Sequence, residues 1–456
     1  MITKLKEGQK EFFKTHKTQP IKVRTNHLKK LKIVINDKEK DICDAIYKDL
    51  KKSVFESFTS EVLMVLKEID CFIRNIDDWS SPKKVSGSLI NFPSQDYLLY
   101  EPYGSVLMIS PWNYPFQLAM VPLIGAIASG NTVILKPSES APNTSKILIE
   151  ILESVFPKEW VCVIEGDAKV AQMLLKIHWD YIFFTGSTNV GKIVAKAAAE
   201  YLTPITLELG GKSPCIVDGT APLNKTAKRI VWGKFINCGQ TCIAPDYLLV
   251  KSEQKNALIM ALEKEIKKAF GADPKNSNDY GRIIHKKHFK KLESDLKNQK
   301  IAYGGSKDEK ELYFGPTIVD SPSLDSSLIR DEIFGPILPI LSFDKIEDID
   351  KILTQLKNPL AFYVFSENKK FIDVLIKSYS FGGAVINDSL VHFTNPELPF
   401  GGIGNSGIGA YHGKYSFDLF SHLKPVVKRS FWFDIPQRYA PYPKSISLLK
   451  KILKSI

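Results

Sequence analysis

The stretch YIFFTGSTNVGKIVAKAAAEYL, residues 181–202, passes from an aromatic, β-branched run directly into a pattern with helical spacing. Such a run suits a buried strand, and the residues after it place apolar side chains three and four apart. A strand that opens straight into a helix is the repeating unit of a parallel sheet covered on both faces. Gly186 stands at the end of the strand and Gly191 in the first turn of the helix. Glycine at this junction lets the backbone approach a ligand, and the free N–H groups of a helix N-terminus suit a pyrophosphate. The spacing is Gly-x-x-x-x-Gly rather than the G-x-G-x-x-G fingerprint, so a plain βα turn punctuated by glycine accounts for the same residues.

The same alternation extends outward. Between 97 and 217, YLLYEPYGSVLMIS, NTVILKPS and WVCVIEG are strand-like, and FQLAMVPLIGAIAS and NTSKILIEILESVF are helical. From 223 to 390 a second set follows, with DYLLVKS, ILPILSF, LAFYVFS and GGAVIND as its strands. The plain reading is an α/β protein with two such domains in succession. Residues 1–78 form a helical lead-in that ends at the turn-rich DWSSPKKVSGS. In ILKPSES (134–140), Lys136 and Glu139 fall just past a strand's carboxyl end, where an open α/β sheet binds ligands. Glu139 there can accept hydrogen bonds from a ribose diol and would repel a 2′-phosphate, while a solvated turn pair has the same sequence.

A chain of 456 residues has ample length for large cores, and its 25% charged residues include no low-complexity tract. The formal charge of +12 suits an anionic partner, either a small ligand or a membrane surface. The lysines are scattered rather than gathered with aromatics on one motif, so a nucleic-acid partner is not expected. Six cysteines in a chain of this length do not make a disulfide scaffold, and the polar opening MITKLKEGQKEFFKTHK is no secretory signal. A reducing cytoplasm is the expected location. The longest apolar run, AMVPLIGAIASG at 119–130, falls short of the roughly 20 residues of a spanning helix and reads as a buried one. Cys238 and Cys242, four apart in FINCGQTCIAPD, lack the second cysteine pair or histidine pair of a zinc site, and no metal is expected.

Taken in order, ISPWNYPFQL (109–118), LKPSESAPNTS (135–145), FFTGSTNVG (183–191), LELGGKSPCIV (207–217), FINCGQTCIAPD (235–246), EIFGPILPI (332–340) and LPFGGIGNSGIGAYHGKYSF (398–417) resemble the aldehyde dehydrogenase superfamily. The resemblance covers residues 100 to 420. The short N-terminal region and the GAYHGKYSFDLFSH ending are most similar to its class 3, dimeric branch, which includes fatty aldehyde dehydrogenases.

The resemblance implies a Rossmann-type NAD-binding domain over 1–209, with part of an oligomerisation arm near 80–100. It implies a catalytic α/β domain over 210–392, and a small β arm and tail over 393–456. It implies oxidation of an aldehyde to a carboxylic acid by a homodimer, with NAD as cofactor and NADP as the alternative. Cys242 matches the nucleophile, which makes the carbonyl carbon a hydride donor by forming a thiohemiacetal and leaves a thioester. Glu208 matches the base that activates the hydrolytic water, and Asn113 the side-chain amide of the oxyanion hole. Lys136 and Glu139 resemble the adenosine-ribose contacts and Gly186 and Ser187 the pyrophosphate turn, with Gly191 following in the helix. Glu332 and Phe334 resemble the pair at the nicotinamide ribose and ring. Cys238 is then a bystander. A coenzyme A-acylating relative needs no water-activating base, so Glu208 speaks against that alternative, and the intact Cys242, Glu208 and Asn113 speak against a non-catalytic protein that keeps the fold. PFGGIGNSGIG (399–409) is implied to be a loop near the substrate entrance and the arm, with His412 left open between structural and substrate-side roles. Tyr114, Phe116 and Phe393 suggest an apolar tunnel for medium or long aliphatic or aromatic aldehydes. The tail YPKSISLLKKILKSI (442–456) has the spacing of a basic amphipathic helix, which could dock on its own dimer or lie on an anionic membrane surface.

Overall fold

The computed structural model describes residues 2–88, 91–443, 445–447 and 450. Ser105–Ile109, buried along its whole length, is the strand from which the first sheet grows in both directions. On one side lie Thr132–Lys136 and then Val161–Val163, on the other Tyr181–Thr185 and then Ile205–Glu208, all parallel. The chain reverses its direction of travel between Ser105–Ile109 and Tyr181–Thr185, and the crevice beyond the carboxyl ends of such a strand pair is where doubly wound sheets bind ligands. Register brings Ile109 level with Lys136, and Thr185 level with Glu208, at that edge.

Helix Gln117–Ala128 is buried on every side, as expected of an apolar segment too short to cross a bilayer, and contains Pro122. Among the described residues no helix is long and apolar enough to cross a membrane. The N-terminal helices Ile2–Lys14, Ile21–Asp37, Glu39–Leu50 and Leu63–Ser80 occupy the helical lead-in, with a π-helical turn at Phe58–Val62. They tie themselves to the sheet domain through polar groups. Asp49 receives the backbone N–H groups of Asn143 and Thr144 at 3.1 and 2.8 Å, a carboxylate placed on the first turn of helix Pro142–Val155.

The second sheet has the order Ile301–Tyr303, Thr317–Asp320, Ile337–Phe343, Tyr247–Lys251, Pro214–Val217, Ala361–Phe365, Gly383–Ile386. Its strands are parallel except the antiparallel edge Ile301–Tyr303. Leu249, Phe343, Phe362 and Val364 pack with Ile349 and Leu375 into its core.

The chain divides into two compact units at Trp79/Ser80, Tyr100/Glu101 and His422/Leu423. The smaller one carries a three-stranded sheet of Lys83–Val85, Ser94–Pro102 and Ser421–Arg429. Residues 393–422, expected in the arm, belong instead to the larger unit. Gly407–Ile408 adds an antiparallel edge strand against Leu207–Glu208, and helix Gly413–Leu419 packs on Gly125, where Ser416 Cβ leaves no room for a side chain. The amphipathic helix expected of the tail depends on Leu448, Leu449, Ile452 and Leu453, which lie outside the described residues.

Candidate active site

Helix Leu223–Phe235 ends in a turn that no ordinary side-chain sequence adopts readily. Asn237, Cys238 and Gly239 follow one another in the left-handed region, at φ of 51°, 53° and 70°. Non-glycine residues held there cost on the order of 1–3 kcal/mol each and need the surroundings to hold them. Those surroundings are polar and buried. Asn237 Nδ2 donates to the Asn113 carbonyl at 2.7 Å and to the Gln240 carbonyl at 3.1 Å, and Asn237 N donates to Glu56 at 2.9 Å. Gln240 Nε2 donates to Asn237 O at 3.0 Å and Arg282 O at 2.9 Å, while its Oε1 receives Ile284 N at 3.0 Å. A side chain at 239 would run into the Gly335 carbonyl, so glycine is required.

The turn sends its two thiols to opposite places. Cys238 is buried near Tyr280, its sulfur 3.6 Å from where a Cβ on Gly281 would stand. Cys242 is partly exposed and forms a wall common to two cavities.

The first cavity, about 270 Å³, lies at the strand-pair crevice of the first sheet. Trp112 and Asn113 follow one of those strands, and Thr185, Gly186 and Ser187 close the other. Glu208, Glu332 and Phe334 complete its wall with Cys242. Both oxygens of the Glu208 carboxyl and the Thr185 hydroxyl are buried without a hydrogen-bond partner. Groups of this kind are uncommon in folded proteins and suit a site built to meet a ligand or water. Glu332 packs so closely on Gly210 that a Cβ there would overlap its carboxyl. Phe334 has φ of 55°, meets Trp112 edge-on at 5.3 Å, and its carbonyl receives His288 Nε2 at 2.7 Å. Asn113 Nδ2 gives one hydrogen to the Gln240 carbonyl at 3.1 Å, which leaves its second amide hydrogen to spare.

The second cavity, about 330 Å³, is apolar, with Phe55, Met64, Trp232, Phe393 and Phe400 among its walls. Tyr114 and Phe393 lie where the tunnel reading put them. Phe116 does not: it is fully buried in the core, and its backbone N–H donates to Glu61 at 2.9 Å. His412 is buried and borders this apolar cavity.

Three sequence-derived cofactor contacts stand outside the first cavity's wall. Lys136 and Glu139 pair with each other at 2.6 Å at the neighbouring strand end, with the lysine buried and the carboxylate exposed. Gly191 faces Leu209, whose Cδ2 would lie 2.6 Å from an added Cβ, so it serves close helix packing. Ser187 caps that helix by accepting from Val190 N.

Sequence reasoning missed the buried braces of this site. Lys52 and Glu61 form an ion pair at 2.6 Å with no exposure on either side. Glu61 also receives the N–H groups of Phe116 and Gln117, and Lys52 reaches the Asn113 carbonyl at 3.4 Å. A lysine and a glutamate nine apart in a charged helical segment carry no signal of burial. Gln240, inside the quoted motif, was the nearest clue.

Burial in the site works against the charged forms of its ionisable groups. Burial pushes the Cys242 thiol up to about 12, with the Glu332 and Glu208 carboxyls adding to the effect and the N–H groups of Cys242 and Ile243 opposing it. Burial alone drives Glu208 well above the usual carboxylate range. Glu332 rises to about 8, first through burial and then through Asp246. At neutral pH the Cys242 thiol is therefore largely protonated in the ligand-free protein, and for both Cys242 and Glu208 the reactive, deprotonated form is favoured as pH rises.

A family model for the aldehyde dehydrogenase family matches residues 3–426. The chain belongs to that family. It is 45% identical over 448 residues to the 4,4'-diaponeurosporen-aldehyde dehydrogenase of Staphylococcus aureus, covering 98% of both chains. It is 45% identical over 418 residues to aldehyde dehydrogenase family 3 member A2 of Mus musculus, covering 92% of this chain and 86% of that one. A solved structure described as the substrate-bound state of Staphylococcus aureus AldH superimposes with a TM-score of 0.97 at 44% identity, covering 99% of each chain. The protein is thus an NAD(P)-dependent oxidoreductase acting on aldehydes, with the α/β aldehyde dehydrogenase fold.

Proposed function

We propose that Cys242 is the nucleophile of this aldehyde dehydrogenase, Glu208 its water-activating base, and Asn113 Nδ2 with the Cys242 N–H its oxyanion donors. The observation that carries the reading is the position of Cys242 in the wall between two unlike cavities, one holding the unpartnered Glu208 carboxyl and the other lined by aromatic side chains. An aldehyde entering through the apolar side puts its carbonyl carbon at the sulfur. The thiol gives its proton to solvent water, the thiolate sulfur adds to that carbon as the C=O π bond opens, and the resulting oxyanion accepts hydrogen bonds from Asn113 Nδ2–H and the N–H of Cys242. A nicotinamide cofactor, when bound, accepts the hydride that leaves the same carbon. Glu208 then takes a proton from water as that water attacks the thioester, which releases the acid and restores the thiol.

The residues present fit such a cofactor, because the first cavity lies at the strand-pair crevice and combines unpartnered hydroxyl and carboxyl groups with a close glycine approach at Gly210. Gly186, Ser187, Glu332 and Phe334 would hold it there, and Lys136 and Glu139, at the adjacent strand end, would reach its adenosine ribose. Glu139 favours NAD over NADP by repelling a 2′-phosphate. The apolar second cavity supports medium or long aliphatic or aromatic aldehydes over small hydrophilic ones. Six free cysteines, five of them buried, support a reducing cytoplasmic location. The class 3 resemblance supports a homodimer, and the basic tail supports peripheral contact with an anionic membrane surface.

Steady-state rates with both cofactors across an aldehyde series test this reading. We expect reduced cofactor to accumulate with apolar aldehydes and kcat/KM to favour NAD, and Glu139→Gln to narrow the NAD preference by about tenfold, the size of one lost charge interaction. Failure of every aldehyde with either cofactor would overturn it.

A further inference from the structure

The two proposed oxyanion donors come from different segments of the chain. Asn113 follows the strand Ser105–Ile109, and the Cys242 N–H belongs to the turn after helix Leu223–Phe235. Their separation must be held closely, since a misplacement of about 1 Å can cost 10²-fold in rate. Hydrogen bonds join the two segments directly. Asn113 Nδ2 donates to the Gln240 carbonyl, Asn237 Nδ2 donates to the Asn113 carbonyl, and the Tyr114 hydroxyl meets that of Thr241 at 2.8 Å, one residue before Cys242. The ion pair of Lys52 and Glu61 closes on the same place. Lys52 Nζ stands 4.1 Å from the centre of the Tyr114 ring and 3.4 Å from the Asn113 carbonyl oxygen, which it approaches as a second donor beside Asn237. Glu61 Oε1 takes the Lys52 ammonium at 2.6 Å, and its Oε2 takes the N–H groups of Phe116 and Gln117 at 2.9 and 3.3 Å. Residues 113–117 are therefore gripped at both ends by two side chains.

Two observations separate this pair from an ordinary stabilising contact. Both side chains are fully buried, and a buried ion pair gains little stability over well-packed apolar side chains of the same volume, because lost hydration offsets the attraction. Stability alone therefore does not call for charges here. In addition, Glu61 sits in the π-helical turn Phe58–Val62, a rare backbone form that concentrates at functional sites. Thr59 and Ser60 of that turn belong to the wall of the apolar cavity. The segment that would meet the substrate body thus also holds the donor that would meet its oxygen.

We infer that Lys52 and Glu61 are positioning residues for the oxyanion hole: the pair fixes Asn113 and Tyr114 relative to Cys242, and so sets the rate of acylation rather than the affinity for either ligand. The inference rests on the assignment of Asn113 as an oxyanion donor, and the experiment separates the two. A Lys52→Met/Glu61→Met variant removes both charges at nearly constant volume and should keep its stability in denaturant titration. Its rate of cofactor reduction in a single turnover with excess enzyme should fall by about 10- to 100-fold. KM for the aldehyde and Kd for the cofactor should stay within about twofold, the split expected when only transition-state contacts are lost. Lys52→Gln/Glu61→Gln, whose amides can bond each other but whose shorter side chain at 52 does not reach the Asn113 carbonyl, should show the same loss and carries the test if the first variant does not fold. The decisive readout is a double-mutant cycle. On an Asn113→Ala background, removing the pair should cost less than about threefold, because its effect passes through a side chain that is already gone. A pair variant with the wild-type single-turnover rate, or losses that simply multiply with that of Asn113→Ala, would overturn the inference and leave the oxyanion assignment standing. Asn113→Ala with an undiminished rate would instead remove that assignment, and the inference with it.

Discussion

The two sides of Cys242 are built on opposite principles. On one side, the buried Glu208 and Thr185 and the half-buried Glu332 present polar atoms in a crevice between strand ends, and Glu208 and Thr185 have no partner. On the other, Phe55, Trp232, Phe393 and Phe400 present surface with little to offer but exclusion of water. On the proposed assignment, the contrast lets one sulfur serve both a dry addition step and a wet hydrolysis step. In the proposed roles, water and its base would sit on the side of the sheet crevice, and the substrate body on the side of the rings. The low polarity has a chemical cost, since it keeps the resting thiol protonated and disfavours the charged form of the Glu208 carboxyl.

The comparison can be broken by removing the group on which the two sides meet. Cys242→Ala should lower kcat by about 10⁴–10⁶, measured as steady-state cofactor reduction, because no other group in the wall can form the covalent intermediate. Residual activity near wild type would return the site to a simple binding crevice.

Removing the polar side alone gives a smaller and more informative loss. Glu208→Gln should lower kcat by about 10²–10⁴ while sparing a stoichiometric burst of reduced cofactor, since acylation does not need the base. The sign of the pH effect follows from burial. The Glu208 carboxyl is raised well above its ordinary value by burial, so its basic form accumulates at higher pH than that of an ordinary carboxylate. Wild-type kcat should therefore rise with pH across the neutral range, and Glu208→Gln should flatten that rise. A variant that keeps the wild-type slope would assign the limb to another group.

Asn113→Ala tests the boundary between the two sides. With one oxyanion donor gone, kcat should fall by about 10²–10³ with KM nearly unchanged. A change confined to KM would make Asn113 a packing residue for the turn at 237–240. The smallest effect belongs to the thiol outside both cavities. Cys238→Ala should leave kcat within about twofold and lower stability by about 0.5–3 kcal/mol in denaturant titration, the usual range for a buried deletion. Losses of activity equal to those of Cys242→Ala would end its role as a bystander.

Much of this arrangement was legible in local sequence. YIFFTGS followed by TNVGKIV specified a strand, a tight turn and a helix in consecutive residues, and the structure has them at Tyr181–Thr185 and Thr188–Ala199. The helix Gln117–Ala128 was legible because it is apolar on every face. The braces were not. Lys52 and Glu61 look like solvent-facing residues of a charged helical segment until a π-helical turn and the 113–117 loop enclose them. Nor does glycine-rich PFGGIGNSGIG announce that its Gly407–Ile408 pairs with the strand ending at Glu208, because edge pairing across two hundred residues leaves no local period.

The sequence by itself determined the elements, their alternation and the residue types the chemistry needs, since strand and helix periodicity and thiol, carboxyl and amide side chains are local properties. Tertiary structure decided which of two neighbouring thiols meets the cavities. It did so because three consecutive left-handed residues turn Cys238 inward under Tyr280 and leave Cys242 in the wall, and only contacts from Glu56, Asn113 and Arg282, far apart in the chain, can hold that turn. It also decided the charge state of the site, because burial is a property of the packed fold and no residue carries it alone.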